Sequence, residues 1–254
     1  MNTTVNSIRI LGLNLYCGSL KKGIEVALKG GLVVAPAAPG LAIDFVRDSA
    51  YREALLNSDL ILTDSGYLVL LWRIIAGQSV PRHSGLKFIR GILELSELCG
   101  PGSSFWVMPS EDDNRRNQLW LSRRGIPVGP AETYVAPLYD RGPIFDQVLL
   151  DILEARRPRI VVVCLGGGVQ ERLGYFLRKQ LSYRPTILCI GAAIAFLTGG
   201  QVAIPVWADR LILGWFFRIC SSPTAYFPRY WRAKGLVRLV WKYRDRLPPL
   251  KTRR

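Results

Sequence analysis

Short apolar runs alternate with helix-like segments along residues 1–204 of this 254-residue chain, and this alternation restricts the fold more than any other feature. Strands that alternate with helices form a mainly parallel sheet with helices on both faces. The candidate strands are residues 31–34, 60–62, 104–108, 160–165 and 187–190, and the candidate helices are residues 43–56, 68–76, 87–98, 114–123, 144–155 and 170–181. The sequence therefore predicts a three-layer α/β domain.

The charge of the chain is positive and unevenly distributed. Thirty-four Lys and Arg residues against nineteen Asp and Glu residues give a formal net charge of +15, which indicates an anionic partner. Residues 205–254 carry twelve of the basic and only two of the acidic residues, together with four of the seven tryptophans. We therefore predict an α/β core over residues 1–204 and a basic, aromatic helical appendage over residues 205–254.

The appendage has the pattern of a helix that lies on a membrane surface. Leu236, Val240 and Tyr243 fall at helical spacing with basic residues between them, as in helices that sit among anionic lipid headgroups. Nucleic-acid binding would use the same charges, and it remains the alternative. The aromatic spacing and the lack of a known DNA- or RNA-binding module favour the membrane, so no nucleic-acid partner is expected.

Cysteine and histidine usage argues against a metal site. The five cysteines form no CxxC pair, which excludes a disulfide scaffold and a cysteine zinc site, and the single His83 excludes a multi-histidine site. We predict no metal and no cofactor. The N-terminus has no signal-peptide pattern, and the longest apolar stretch, residues 186–198, is shorter than the roughly 20 residues of a membrane span. The expected location is cytoplasmic.

Asp64 is the strongest catalytic candidate. It follows the predicted strand 60–62 and precedes a glycine turn and a helix, which places it at the carboxyl edge of the sheet, where ligands bind in open α/β folds. A carboxylate there could remove a proton from an attacking hydroxyl. The alternative is that Asp64 only caps the helix that begins near Tyr67 or fixes the turn.

Three further segments could contact an anionic ligand. Arg82, beside His83 in the loop before the helix at 87–98, could bind phosphate. The run Gly166, Gly167 and Gly168 leads into a helix that begins with Gln170 and Glu171, and a second strand exit carries Gly191. Such glycine turns let backbone amides approach an anion, and Gln170 and Glu171 could bind sugar hydroxyls or only cap the helix. Packing would explain the small residues around Gly191 equally well.

Taken in order, these segments resemble the WecG/TagA/CpsF family of bacterial glycosyltransferases. The resemblance runs from about residue 31 to 231. It is carried by residues 34–36, the acidic turn at 57–66, Arg82 to Gly85, the glycine run with Gln170 and Glu171, residues 190–199, and the segment from Trp215 to Tyr230. The first strand ends in Ala35-Pro36-Ala37 where the family usually has Thr-Pro-Asn, and the glycine loop lacks the family's Pro-Lys. These departures indicate a divergent member with a different sugar substrate.

The resemblance implies a function and a set of site residues. It implies a Rossmann-like core that transfers an N-acetylhexosamine-type sugar from a UDP-sugar to a polyprenyl-diphosphate-linked sugar, with inversion and without a metal, at the inner face of the cell membrane. Asp64 would be the general base. Arg82, Gln170 and the neighbouring residues would hold the donor, and the appendage would add Arg218 and Arg229 to stabilise the departing UDP.

Two alternatives from other classes stay open at this point. One is a non-catalytic sugar-nucleotide-binding or scaffold protein of polysaccharide assembly, and the other is the basic nucleic-acid-binding protein. The sequence also leaves open whether the chain forms a homo-oligomer.

Overall fold

A computed structural model describes residues 6–95, 98, 100–200, 224, 228 and 231–251. Its centre is one eight-stranded sheet in the order β1-β2-β4-β3-β8-β7-β5-β6. The strands are β1 (Ser7–Ile10), β2 (Leu13–Tyr16), β3 (Gly31–Val34), β4 (Leu60–Ile61), β5 (Ser104–Met108), β6 (Thr133–Val135), β7 (Ile160–Val163) and β8 (Thr186–Cys189). All neighbouring pairs are parallel except the hairpin β1–β2. The predicted α/β architecture is therefore confirmed.

Helices cover both faces of the sheet. They are α1 (Leu20–Ala27), α2 (Ala38–Ala42), α3 (Ser49–Leu56), α4 (Gly66–Ala76), α5 (Gly85–Leu93), α6 (Glu111–Ser122), α7 (Gln147–Arg156), α8 (Val169–Gln180), α9 (Ala195–Thr198) and α10 (Gly235–Tyr243). Among the described residues, no helix has the length and apolar character needed to cross a bilayer.

Two apolar clusters, one on each face of the sheet, make up the core. Successive residues of a strand point to opposite faces. Accordingly, Val161 and Val163 of β7 pack in the cluster that includes α3, α8 and α10, whereas Val162 packs in the cluster that includes α5. The central strands are buried on both faces, which explains their continuous apolar sequences.

The predicted helix 43–56 is wrong as a single element. The chain forms α2, a short 3-10 turn over Asp44–Val46, and then α3. Asp48 separates the last two because its carboxylate accepts hydrogen bonds from the amides of Ala50 and Tyr51, which makes it the N-cap of α3. Asp48, the N-cap of α3, therefore lies within the segment that the sequence pattern predicts as one continuous helix.

Residues 231–251, the last segment that the structure describes, pack on the α/β core. Leu236 and Val240 of α10 are fully buried in the same cluster as β3 and α3, so this side of α10 faces protein rather than lipid. Backbone hydrogen bonds join the segment to the N-terminal hairpin and its neighbours: Leu11 N donates to Arg244 O at 2.6 Å, and Lys251 N donates to Val46 O at 2.7 Å. The division at residue 204 stays a prediction, because residues 201–223 lie outside the described residues.

Candidate active site

The carboxyl ends of β4, β3, β8 and β7 lie side by side in the middle of the sheet. The segments that carry Asp64, Asp44, Gly191 and Gly168 leave the sheet there, because each of them follows one of these four parallel strands. Open α/β folds bind ligands at this edge. Three of these segments, those with Asp64, Gly168 and Gly191, were predicted from sequence as separate motifs, and the structure brings them to one edge of the sheet.

Asp64 is anchored by a helix other than the one it precedes. Its Oδ1 accepts a hydrogen bond from the Gly85 amide at 2.9 Å, in the first turn of α5. The N-cap of α4 is Ser65, whose hydroxyl accepts from Leu68 N. The capping alternative for Asp64 at this helix is therefore wrong, and its half-buried carboxylate lies between the ends of β4 and α5.

Arg82 lies beside Asp64, as the sequence predicts for two residues of one site. Its Nε donates to the carbonyl oxygen of Asp64 at 3.0 Å. The loop that carries Arg82 is held by Thr63, which donates to Pro81 O at 2.6 Å and accepts from His83 N at 3.0 Å. These contacts hold the loop that carries Arg82 against the loop that carries Asp64.

His83 is buried and has a partner outside the site. Its Nε2 lies 2.7 Å from the carbonyl oxygen of Gly18, and its ring packs against Tyr16 with 5.5 Å between centroids. Burial lowers the pKa of His83, and the hydrogen bond to Gly18 acts against this effect. Because a carbonyl oxygen can only accept, Nε2 of His83 carries the hydrogen of this bond. The histidine therefore packs against the segment around Gly18.

Close packing joins the Asp64 loop to the exit of β8. A Cβ on Gly85 would lie 2.7 Å from the carbonyl oxygen of Ile190, so the first turn of α5 sits directly against the end of β8. The next residue, Gly191, has a φ of 73°, which favours glycine. Asp64 and Gly191 are thus linked through Gly85 and its contact with Ile190.

A chain of hydrogen bonds continues from Gly191 to the loop after β7. Gly191 N donates to Gln170 Oε1 at 2.6 Å, Gln170 Nε2 donates to Glu171 Oε1 at 3.1 Å, and Gly168 N donates to Glu171 Oε2 at 2.6 Å. Gln170 and Glu171 are only 2% and 1% exposed. The structure therefore places both side chains inside the protein, with Glu171 at the N-terminus of α8.

The environment of Glu171 changes its acidity. Burial raises the pKa of the Glu171 carboxyl to about 7, although the hydrogen bonds from Gly168 and Gln170 oppose this shift. The nearby charge of Asp44 raises it further. A carboxyl group within the candidate site therefore titrates near neutral pH.

The three glycines of the run differ in exposure and in the hydrogen bonds of their amides. Gly166 and Gly167 are exposed, and a Cβ on Gly166 would meet no atom within 4 Å. The amides of Gly168 and Gly191 instead donate to Glu171 and Gln170. An anion that approaches this turn thus meets the backbone of Gly166 and Gly167 first.

Sequence reasoning missed two residues of this region. Buried Arg172 donates from Nε to Gly168 O at 2.9 Å and from Nη1 to Asp140 O at 2.7 Å, which ties the glycine loop to the segment after β6. Asp44, in the 3-10 turn after α2, lies 3.9 Å from the Cβ position of Gly168. Arg172 directly follows Gln170 and Glu171 in sequence, and this was the one signal that could have identified it.

Two predicted residues fall outside the described part of the chain, and two surface cavities lie away from the residues described above. Arg218 and Arg229 lie outside the described residues. Two surface cavities of about 240 and 440 Å³ are both lined by Asp59 and Leu60, at the amino ends of the strands, and their linings exclude Asp64 and the glycine loops. Within the described ranges there is no group of three His, Cys, Asp or Glu residues that could hold a metal ion. Metal independence itself stays a prediction.

Comparison with known proteins identifies the family of this chain. The model of the glycosyl transferase WecG/TagA/CpsF family matches residues 8–250. The chain is also similar to the N-acetylglucosaminyldiphosphoundecaprenol N-acetyl-beta-D-mannosaminyltransferase of Bacillus subtilis (strain 168), with 24% identity over 246 residues, 92% of this chain and 86% of that enzyme. Because the family match covers nearly the whole chain, the protein belongs to the WecG/TagA/CpsF family of glycosyl transferases.

Proposed function

We propose that this glycosyl transferase moves an N-acetylhexosamine-type sugar from a UDP-sugar to a polyprenyl-diphosphate-linked sugar in cell-surface polysaccharide synthesis. The name of the Bacillus relative supports these substrate classes, since it specifies an N-acetylmannosaminyl transfer to N-acetylglucosaminyldiphosphoundecaprenol. The observation that carries the proposal is the position of Asp64, fixed by Gly85 at the carboxyl edge of β4 beside Arg82.

In the proposed reaction, Asp64 is the general base. An ionised carboxylate has about four acceptor positions, and the amide of Gly85 occupies one of them. Asp64 takes the proton of the acceptor hydroxyl while the oxygen of that hydroxyl bonds to the anomeric carbon of the donor sugar. The bond from this carbon to the diphosphate oxygen of UDP breaks. A single displacement of this kind inverts the configuration at the anomeric carbon.

The departing diphosphate requires positive charge. The position of Arg82 beside Asp64 and the exposure of Gly166 and Gly167 support this role, because cations and backbone amides stabilise charge that develops in a transition state. We propose that Arg218 and Arg229 contribute from the preceding part of the C-terminal segment. Together these groups would make the transfer independent of a divalent metal.

We also propose that the enzyme works on the inner face of the cell membrane, where a lipid-linked acceptor is held. Exposed Trp231 and Trp241 support membrane contact, with side chains 59% and 68% exposed near or on α10. Lys234 lies over the Trp231 ring at 4.1 Å, and residues 231–244 contain five basic residues and no acidic one. Aromatic and basic residues together suit an interface with anionic lipid.

The variant Asp64→Asn tests the proposed reaction. Asparagine keeps an oxygen that can accept from Gly85 N, so the loop should retain its position. We expect turnover of a UDP-N-acetylhexosamine with a polyprenyl-diphosphate N-acetylglucosamine acceptor to fall by roughly 10²–10⁴-fold. UDP affinity should change by less than about twofold, since uncharged asparagine keeps the site's shape.

Exposed Asp151 on α7 provides the matched control, and Asp151→Asn should keep full activity. Undiminished turnover in Asp64→Asn would remove the proposed base. Binding of UDP by the wild-type chain without any product from either variant or wild type would instead favour a non-catalytic sugar-nucleotide-binding protein.

A further inference from the structure

Glu171 and Gln170 form a hydrogen-bonded pair that connects two loops of the candidate site. We propose that this pair positions the loops after β7 and β8 for the sugar nucleotide, and that it does so only while Glu171 is ionised. The inference deepens the proposed function, because it assumes that the donor nucleotide binds at this edge of the sheet. Glu171 acts here as a positioning residue that stays out of contact with the substrate.

The geometry gives Glu171 control over the orientation of the Gln170 amide. Glu171 Oε1 accepts from Gln170 Nε2 at 3.1 Å, and this contact turns the amide oxygen of Gln170 toward Gly191 N, 2.6 Å away. The other carboxylate oxygen accepts from Gly168 N at 2.6 Å. One carboxylate therefore fixes a backbone amide of the β7 loop directly and one of the β8 loop through Gln170.

Burial makes these contacts obligatory. Gln170 and Glu171 are almost fully buried, so water cannot easily replace a lost partner, and an unpaired buried group is costly. Gly168 and Gly191 both have positive φ angles, of 94° and 73°. The direction in which their peptide groups leave the strands depends on these bonds, and Gly191 directly follows Ile190, which packs against Gly85.

Protonation would break the arrangement. The ionised carboxylate accepts strongly at both oxygens, whereas the hydroxyl oxygen of a protonated carboxyl is a much weaker acceptor. The hydrogen bond from either Gly168 N or Gln170 Nε2 then weakens. The charged and titratable groups around Glu171 are Asp44 from the 3-10 turn, Arg172 and its ion-pair partner Asp48, and the Cys189 thiol, whose pKa burial raises well above its usual value.

The titration can be observed without any ligand. Ile190 and Gly191 form the only Ile-Gly pair in the sequence, so labelling with ¹³C-carbonyl isoleucine and ¹⁵N-glycine isolates one amide signal. We expect the Gly191 signal of the full chain to shift with a midpoint near pH 7, where burial places the pKa of Glu171. The shift should vanish in Glu171→Gln.

Binding of UDP provides the second readout. Loss of one hydrogen bond to a charged group is worth roughly tenfold or more in affinity. Because a carboxyl with a pKa near 7 is about 90% ionised at pH 8 and about 25% ionised at pH 6.5, we expect UDP affinity of the wild type to fall roughly fourfold over this range. Glu171→Gln should bind UDP roughly tenfold more weakly at pH 8, with little dependence on pH over this range. Its KM for the donor should rise more than its kcat falls.

Glu132 offers a matched control. Its carboxylate accepts from Gly129 N at 2.9 Å in the same local geometry as Glu171 and Gly168, but before β6 at the opposite edge of the sheet. Glu132→Gln should keep both the Gly191 titration and the UDP affinity.

The two readouts separate this inference from the proposed function. A Gly191 signal that stays constant from pH 6 to pH 8 would overturn the inference, whether or not UDP binds. Wild-type UDP affinity in Glu171→Gln at pH 8 would also overturn it. A normal Gly191 titration in a chain that binds no UDP would support the positioning pair and contradict the proposed donor. If Glu171→Gln fails to fold, the wild-type titration alone decides.

Discussion

The amide of Gly85 holds the carboxylate of Asp64 at 2.9 Å, across twenty-one positions of sequence. The donor belongs to the first turn of α5, where free amides and the helix dipole favour a negative charge. The same turn packs on the carbonyl oxygen of Ile190. The first turn of α5 and the end of β8 therefore fix the position of Asp64 together. A substitution at Gly85 should change the transfer rate, although Gly85 takes no part in the reaction itself.

Gly85→Ala tests this dependence. The new Cβ would lie 2.7 Å from Ile190 O, a backbone atom that cannot rotate away, so α5 must shift. We expect the free energy of unfolding to fall by about 1–3 kcal/mol. The transfer rate should fall by roughly 10–100-fold, because a displaced carboxylate loses alignment.

Denaturant unfolding and steady-state kinetics measure the two effects. Gly235→Ala is the control, since a Cβ at Gly235 would meet no atom within 4 Å. If Gly85→Ala loses stability and keeps full activity, the link between α5 and Asp64 has no catalytic role.

At the opposite edge of the sheet, Asp59 joins three elements. Its carboxylate accepts from Leu32 N at 2.8 Å, from Arg178 Nε at 2.8 Å and from Arg184 Nη2 at 2.7 Å. Burial alone would raise the pKa of Asp59, but the bonds from Arg178 and Leu32 and the charges of both arginines outweigh it, so the pKa lies below its usual value. Asp59→Asn should lower the free energy of unfolding at pH 7 by about 1–3 kcal/mol.

The pH dependence of this loss has a defined sign. Because the pKa of Asp59 is lower in the folded state, its contribution is present above the unfolded value of about 3.9 and is lost as the pH falls through the folded value. Unfolding measured from pH 7 to pH 3 should thus show the wild type and Asp59→Asn converging in acid. Asp112→Asn, which removes an exposed ion pair with Arg115, should leave the free energy of unfolding unchanged. A difference between wild type and Asp59→Asn that persists unchanged at pH 3 contradicts the assignment.

The sequence predicts the centre of this fold better than its ends. The five candidate strands all appear because each is a short apolar run. The hairpin β1–β2 was missed: its strands have four residues each, and β1 is only partly buried, so neither gives a strong pattern. Its turn depends on positive φ angles at Leu11 and Gly12, and leucine does not signal such a turn.

Most of the candidate site was predictable as a set of residues, but its connections were not. Asp64, Arg82 and the glycine turns follow strand ends, and strand ends of a parallel sheet meet at one edge. The bonds from Gly85 to Asp64 and from Gly191 to Gln170 span about twenty residues each, and no local pattern encodes them. Burial of Glu171 was hidden for the same reason, since a Gln-Glu pair at a helix start suggests an exposed surface.

The packing of α10 makes the C-terminal segment a determinant of stability. Leu236 is fully buried in the main apolar cluster, so Leu236→Ala should lower the free energy of unfolding by about 2–5 kcal/mol. Val237, one position further, is 41% exposed, and Val237→Ala should cost less than about 0.5 kcal/mol. Thermal and denaturant unfolding compare the two variants. Equal effects would mean that α10 does not pack on the core in solution.

This packing also decides how membrane contact must be tested. Removal of residues after 201 would expose the core that Leu236 and Val240 cover, so a truncated chain cannot separate folding from lipid binding. Substitution of the exposed Trp231 and Trp241 in the full chain avoids this problem. We expect Trp231→Ala with Trp241→Ala to retain the wild-type unfolding free energy within about 0.5 kcal/mol, as is usual at the surface.

The double variant should sediment less with vesicles that contain phosphatidylglycerol, by roughly tenfold in partition coefficient, because two interfacial aromatic side chains are lost. Wild-type protein should bind vesicles of phosphatidylcholine alone only weakly, since the basic residues of α10 need an anionic surface. Leu119→Ala, at an exposed apolar position on α6, is the control and should sediment as the wild type does. Unchanged sedimentation of the double variant would show that membrane contact, if it occurs, uses another surface. Equal binding to both vesicle types would remove the electrostatic part of the proposal, because charge attraction disappears when the lipid is neutral.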